Sequence, residues 1–458
     1  MKLAYQKHAF TIALALIAAA NCILFLYFVE KASIRVPVLD LLDWLRFYGE
    51  RSKDGDWLGY LWTPHNEHRM VFSRMLLALD VKWFGDQGET FAASGFVLLL
   101  GMAVAICWRI LKSDLSISWK LTAIPIAVLV LTPVNTVIMI GMQECGGFLQ
   151  VSSFGVFALV LFDGAAEQDD FSKYRRTAAI VCACLAAFGD SGGLLIWPAL
   201  MWSAWKGSLR WGWIAGIACV GISFIAVYLW NLPLPGDPNL MEVGPGAYQV
   251  VRADSPVSRS TDFSHIVRSF DFVIRFLGLP WSHVHQLAWP ARVIGLSIFS
   301  LGSFALISVS LSVRANALKR LGAALILFSF LIAGAAAWAR VDLYVNREMS
   351  IRYGMFVVLA HLGLLVWSLD LLERLWNGAH RRSFQWLLLG TSVAWFGQQI
   401  VVGHFAAEEA NRYNDAWSRF VAGDWTADML RYVSPDRDRA QAGLAYLRAN
   451  GLLLKTTN

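Results

Sequence analysis

Runs of about 17–21 apolar residues alternate with polar connectors along most of this 458-residue chain. Each run can cross a hydrocarbon core of roughly 30 Å as a helix. Read in order, they give about eleven spans, at 9–29, 91–110, 121–141, 146–163, 177–189, 192–205, 211–231, 290–313, 321–340, 354–371 and 384–405. The fifth and sixth are short. Gly189-Asp190-Ser191-Gly192-Gly193 joins them and reads as a tight polar hairpin that stops short of full membrane depth. The short alternating strands of a transmembrane barrel are absent. The expected fold is all-α: a polytopic transmembrane helical bundle over 1–405 and a short tail at 406–458.

Two connectors, 30–90 and 232–289, are far longer than the rest. Val38–Phe47 spaces its apolar residues at helical intervals, with Asp40, Asp43 and Arg46 between them, which predicts an amphipathic helix lying in the membrane interface. Asp40 and Asp43 are three apart and so share a helical face. Met70–Trp83 and Ser264–Leu277 predict two further amphipathic helices, and Arg437–Ala449 predicts one in the tail. The second long connector opens with Pro233, Pro235, Gly236 and Pro238, an irregular start. No internal repeat or low-complexity tract is present.

Composition agrees with a membrane protein. The chain is 57% hydrophobic and 16% charged, against about 25% charged in soluble domains. Its 21 tryptophans suit interfacial belts. The six cysteines form no disulfide or zinc spacing, and Cys182 and Cys184 diverge around a helix. The apolar run Ala9–Val29 is too long for a signal-peptide core and lacks a small-residue cleavage site after it, so it is expected to stay as an anchor.

Charge assigns the sides. With Lys2 and Lys7 in the cytoplasm, the short alternate loops carry Arg109, Lys112 and Lys120; Lys173, Arg175 and Arg176; Lys206 and Arg210; Arg314, Lys319 and Arg320; and Arg374, Arg381 and Arg382. That pattern obeys the positive-inside rule and explains the net +6 without nucleic acid as a partner. The outer side then receives both long connectors, Glu144, the Asp190 hairpin, the stretch from Arg340 to Tyr353, and the C-terminus.

The candidate chemistry gathers on that outer side. His65-Asn66-Glu67-His68-Arg69 packs two imidazoles, a carboxylate and a guanidinium into five positions. Imidazole and guanidinium neutralise phosphate oxygens; the spacing is not that of a zinc protease. Asp40 and Asp43 are candidates for a general base or for a divalent-cation site. Arg340, Arg347 and Arg352 suit a lipid-borne phosphate through their planar forks. Glu144 and Asp190 are rim carboxylates that need water or a partner. For each group the alternative is structural: a solvated helix face, a capped corner, or arginines snorkelling to headgroups.

Together, Asp40 and Asp43 (DLLDW), Pro64–Arg69 (PHNEHR), the Gly192–Pro198 hairpin, and Ser350, Arg352 and Tyr353 are similar to patches in uncharacterised bacterial members of the GT-C superfamily. These are integral-membrane glycosyltransferases that use polyprenyl-phosphate-linked sugars. The resemblance covers most of the layout, through short motifs. It implies a bacterial inner-membrane transferase that passes a sugar from a polyprenyl-phosphate donor to a lipid- or glycan-linked acceptor on the periplasmic face. Asp43 would be the base, with Asp40 and then Glu67 behind it. His65, His68, Arg69, Arg340, Arg347, Arg352, Tyr353, Glu144 and Asp190 would bind substrate, and Trp44, Trp57 and Trp62 would stack on sugars. The chain has no Asp-Asp or Asp-x-Asp at the expected loop position, only Asp40-x-x-Asp43 and Asp54-Gly-Asp56. The choice of base and the use of a divalent cation (Mg or Mn) therefore stay open. The rivals are a flippase of lipid-linked glycans, which would carry charges at mid-membrane, a glycan polymerase or ligase, and a structural membrane subunit.

Overall fold

The computed structural model describes residues 2–32, 34, 36, 40–64, 68–85, 88–132, 143–164, 171–207, 209–232, 263–281, 288–313, 315–341, 353–426, 433 and 437–452. Sixteen α-helices are described in chain order. They are α1 (Lys2–Lys31), α2 (Asp40–Lys53), α3 (Trp57–Trp62), α4 (Val71–Phe84), α5 (Glu89–Leu111), α6 (Ile117–Leu131), α7 (Gln143–Gly164) and α8 (Ser172–Ala187). Then follow α9 (Ile196–Lys206), α10 (Trp211–Leu229), α11 (Phe263–Leu277), α12 (Ala288–Leu311), α13 (Ala317–Arg340), α14 (Gly354–Asn377), α15 (Arg381–Val421) and α16 (Arg437–Ala449). Among the described residues no sheet forms.

Eight of these helices, α1, α5, α7, α10, α12, α13, α14 and α15, are long and apolar enough to cross a membrane. The chain is thus a multi-pass helical membrane protein. Of the other three expected spans, 177–189 and 192–205 are the shorter helices α8 and α9, and 121–141 begins in α6, with 133–141 outside the described residues. The last span was expected to end near 405, yet α15 runs unbroken to Val421. No glycine or proline interrupts Ala406–Val421, and buried Trp417 and Phe420 pin that stretch. The chain turns only at Gly423, whose φ of +99° is left-handed.

The core sits around α7, α13 and α14. The apolar window of α7 is 83% buried and that of α10 only 17%, so the first is central and the second faces lipid. Leu100, Val104, Phe304 and Ile307 are also exposed, as lipid contact requires. Helices α13 and α14 meet backbone to backbone: a Cβ on Gly322 would lie 2.5 Å from the Gly363 oxygen. Helices α1 and α6 run parallel. Thr11 pairs with Thr122 at 2.8 Å, and ten residues further along each helix Asn21 donates to Thr132 at 2.8 Å.

Contacts sort the bundle into two ends. At one end Asp163 of α7 binds Arg109 of α5 at 2.7 Å and Arg320 of α13 at 3.1 Å. Nearby, Ser116 N–H donates to Glu373 at 2.8 Å, Arg175 to the Gly164 carbonyl at 2.8 Å, and Lys206 to the Ser310 and Ser312 carbonyls. These basic connectors define a basic end. The opposite end holds α2, α3, α4, α11 and α16. There α16 packs on α2, with Gly443 against Leu42 and Gly49 under the Tyr446 ring.

Candidate functional site

Three distant segments meet at His68, at the end opposite the basic connectors. Asp190 ends the α8 connector and begins the 3-10 turn Ser191–Leu195. One carboxylate oxygen accepts the Gly192 N–H at 2.7 Å, which fixes the side chain. The other lies 3.4 Å from His68 Nδ1. On the far side of the ring, Arg340, the last residue of α13, places Nη2 3.4 Å from Nε2. The tautomer that satisfies both contacts carries its proton on Nδ1, toward Asp190, and leaves the Nε2 lone pair for the guanidinium. In the other tautomer Nε2–H would face a donor, and Nδ1 would turn to the Ser191 N–H, 3.4 Å away. Asp190 is 7% exposed and His68 is partly exposed, so the cluster is sheltered but open. Contacts of 3.4 Å are long for hydrogen bonds.

Contacts from α4 and α7 hold the Asp190 turn in place. The Phe72 N–H donates to the Phe188 carbonyl at 3.3 Å, Gln150 Nε2 donates to the Leu185 carbonyl at 2.7 Å, and Gly147 abuts Gly189. The connector after α2 is equally fixed. Asp56 caps α3 through the Gly59 N–H at 2.9 Å and pairs with Arg51 at 2.5 Å. Those two partners, the N–H first, hold its carboxyl below the usual carboxylate range. Buried Arg74 donates to the carbonyls of Tyr60 and Thr63. Asp80, also buried, accepts the N–H groups of Gly88 at 2.8 Å and Thr90 at 2.7 Å at the start of α5.

Arg69 is placed differently from its expected role. It is 1% exposed. Its Nε donates to the Tyr228 carbonyl at 2.7 Å, and its terminal nitrogens donate to the carbonyls of Trp62 and Trp230. Its guanidinium lies 4.5 Å over the Trp62 ring, and its own N–H donates to the Tyr228 hydroxyl at 2.9 Å. The residue stitches the α3–α4 corner to the end of α10. Burial lowers its pKa from the ordinary arginine value. A side chain spent on three carbonyls has little left for a leaving phosphate.

The tryptophans also divide. Trp44 is 1% exposed and belongs to the core, so it offers no face to a sugar. Trp62 is covered on one face by Arg69. Trp57 is exposed and packs edge-on to Tyr48, ring centres 5.8 Å apart. Tyr353 is a core residue, 4% exposed, wedged between Phe148 and Phe276 at 5.9 and 5.4 Å.

Asp40 and Asp43 lie on α2, and Glu144 lies on α7; their side chains, with His65, Glu67, Arg347 and Arg352, lie outside the described residues. Among the described residues no three His, Cys, Asp or Glu side chains gather as a metal-ligand set. Sequence reasoning passed over Tyr228, Arg74 and Asp80, whose roles are all toward backbone groups, which leave no side-chain motif to find.

No family model matches this chain, and no curated protein or solved structure matches it.

Proposed function

We propose that this membrane protein is a glycosyltransferase that moves a sugar from a polyprenyl-phosphate donor to a lipid- or glycan-linked acceptor, at the end of the bundle opposite the basic connectors. One observation carries the reading most: the His68 ring held between a carboxylate and a guanidinium from two other segments. That array offers an anion-binding arginine beside a polarised imidazole. It stands where a donor phosphate embedded by its lipid tail would arrive.

In the proposed reaction the acceptor hydroxyl attacks the anomeric carbon. The new carbon–oxygen bond forms as the bond to phosphate breaks, and the lipid phosphate leaves with the electron pair. A carboxylate takes the hydroxyl proton: Asp43 first, then Asp40 or Glu67. Arg340, with Arg352 and Arg347, stabilises the growing phosphate charge, and the Asp190–His68 pair holds Arg340 in place. A divalent cation, Mg or Mn, would be held by Asp40, Asp43 or Glu67 and would neutralise phosphate charge. The positive-inside pattern supports a bacterial inner-membrane protein with its N-terminus in the cytoplasm and its C-terminus and site in the periplasm.

The test is sugar transfer in detergent from a panel of synthetic polyprenyl-phosphate sugars. Asp43→Asn keeps shape and loses basicity, so transfer should vanish while thermal stability holds. Normal turnover by Asp43→Asn, Asp40→Asn and Glu67→Gln alike would remove the base assignment. No transfer by the unmodified protein from any donor would overturn the enzyme reading in favour of a flippase.

A further inference from the structure

Helix α2 carries Asp40 and Asp43, two of the carboxylates proposed as base, and has little of its own to hold it. It is 14 residues long, and helices of about 12–15 residues are marginal in water without packing. The place of its backbone is therefore set by what touches it. Leu41, Leu42, Trp44 and Leu45, on either side of Asp43, are all buried. Among the described elements, α2 meets α16 more widely than it meets α3 or α4.

The facing side of α16 allows close approach. Ala440, Leu444 and Leu447 are buried at helical spacing, and Gly443 lies among them. A Cβ on Gly443 would lie 2.8 Å from Leu42 Cβ and 2.9 Å from the Leu42 oxygen, so α16 rests on the α2 backbone immediately before Asp43. Further along α2, Gly49 leaves room for the Tyr446 ring. Contacts then run on to the His68 corner. The Tyr48 ring meets Tyr446 at 6.4 Å, Trp57 at 5.8 Å and Tyr60 at 5.6 Å. Tyr60 donates its hydroxyl to the Arg74 carbonyl at 3.2 Å, and its own carbonyl accepts from the Arg74 guanidinium at 2.7 Å. That exchange joins α3 to α4, just past His68. At its far end α16 is tied to the long α15, where Arg448 donates to the Val421 carbonyl at 3.3 Å.

We propose that α16 is a clamp that sets the place of α2, and so of the backbone bearing Asp40 and Asp43, relative to the His68 corner. Gly443 and Tyr446 are its positioning residues. A base must come within hydrogen-bond reach of its proton, and a shift of about 1 Å can cost about 100-fold in rate. The effect on rate rests on the transferase reading; the effect on α2 does not.

The test uses the whole chain in nanodiscs. Gly443→Val should speed amide hydrogen exchange over 40–53 and leave 354–377, in the core, unchanged. In sugar transfer its kcat should fall about tenfold or more, while KM for the polyprenyl-phosphate donor holds because His68 and Arg340 are untouched. General loss of folded protein would not change exchange in α2 alone. Ala445→Val, exposed on the same helix, is the control and should change neither reading. If Gly443→Val melts abnormally, Gly443→Ala and Tyr446→Leu decide by the same two readings. Exchange over 40–53 like that of Ala445→Val would overturn the clamp. A loosened α2 with unchanged kcat, or a rise in KM alone, would overturn its link to the base. Absence of transfer by the unmodified protein would overturn the transferase reading, and exchange over 40–53 would still decide the clamp.

Discussion

Gly147 and Gly189 touch through backbone alone: a Cβ on Gly147 would sit 2.7 Å from the Gly189 oxygen, and one on Gly189 would sit 2.6 Å from the Gly147 oxygen. Asp190 follows directly, so this approach sets where its carboxylate meets His68. Gly147→Ala and Gly189→Ala should each cost about 1–3 kcal/mol of stability through overpacking and displace the turn. Gly212→Ala, with open space around it, is the control. Thermal melting with a transfer assay checks both effects. Melting like that of Gly212→Ala would mean that the contact is loose.

Asp190 does two jobs that substitutions separate. Asp190→Asn keeps an oxygen for the Gly192 N–H and removes the charge opposite His68. It should leave melting nearly unchanged while transfer falls. Asp190→Ala removes both and should lower the melting temperature as well, by the loss of a hydrogen bond worth about 1 kcal/mol. Full transfer by Asp190→Asn would confine the residue to shaping the turn.

For Arg69 the expectation is reversed. Lysine keeps the charge but cannot fork toward the carbonyls of Trp62, Tyr228 and Trp230. Arg69→Lys should therefore destabilise the α3–α4 corner, with each stranded carbonyl costing about 1–3 kcal/mol. Arg340→Lys should spare melting and impair transfer. Hydrogen exchange over 57–70 would locate the first effect. A stable Arg69→Lys protein that has lost only donor use would return this arginine to the phosphate.

At the basic end, Asp163 is the shared anion of two arginines and is 2% exposed. Asp163→Asn leaves Arg109 and Arg320 facing each other in a buried space. Removal of one member of a buried ion cluster costs about 3–5 kcal/mol, so this should be among the most damaging single changes in the bundle. Arg320→Met in the same chain should recover part of the loss by removing one excess charge. Melting of the single and double variants measures the coupling.

Sidedness is read with two cysteines. Leu58 is 82% exposed near the site and Val313 is 90% exposed at the basic end. In intact cells an impermeant maleimide should label Leu58→Cys, and should reach Val313→Cys only after permeabilisation, each compared with the unmodified protein. The opposite pattern would put the His68 site in the cytoplasm.

Much of the secondary structure is legible in the sequence because it follows from local rules. Helical spacing predicts 437–449, and α16 has those bounds; 264–277 and 70–83 fall within one residue of α11 and α4. Apolar length, the basic content of alternate loops and the period of the amphipathic stretches are properties of neighbouring residues and the solvent they meet. The sequence alone therefore determined an all-helical membrane protein with its basic connectors at one end. Tertiary structure decided the rest. His68, Asp190 and Arg340 are scattered along the chain and meet only because α7, α8 and α13 pack as they do. Arg69 and Arg340 carry the same guanidinium, yet one is buried against three carbonyls and the other reaches an imidazole. A side chain's chemistry depends on which partners exclude water from it, and those partners are chosen by packing between distant segments.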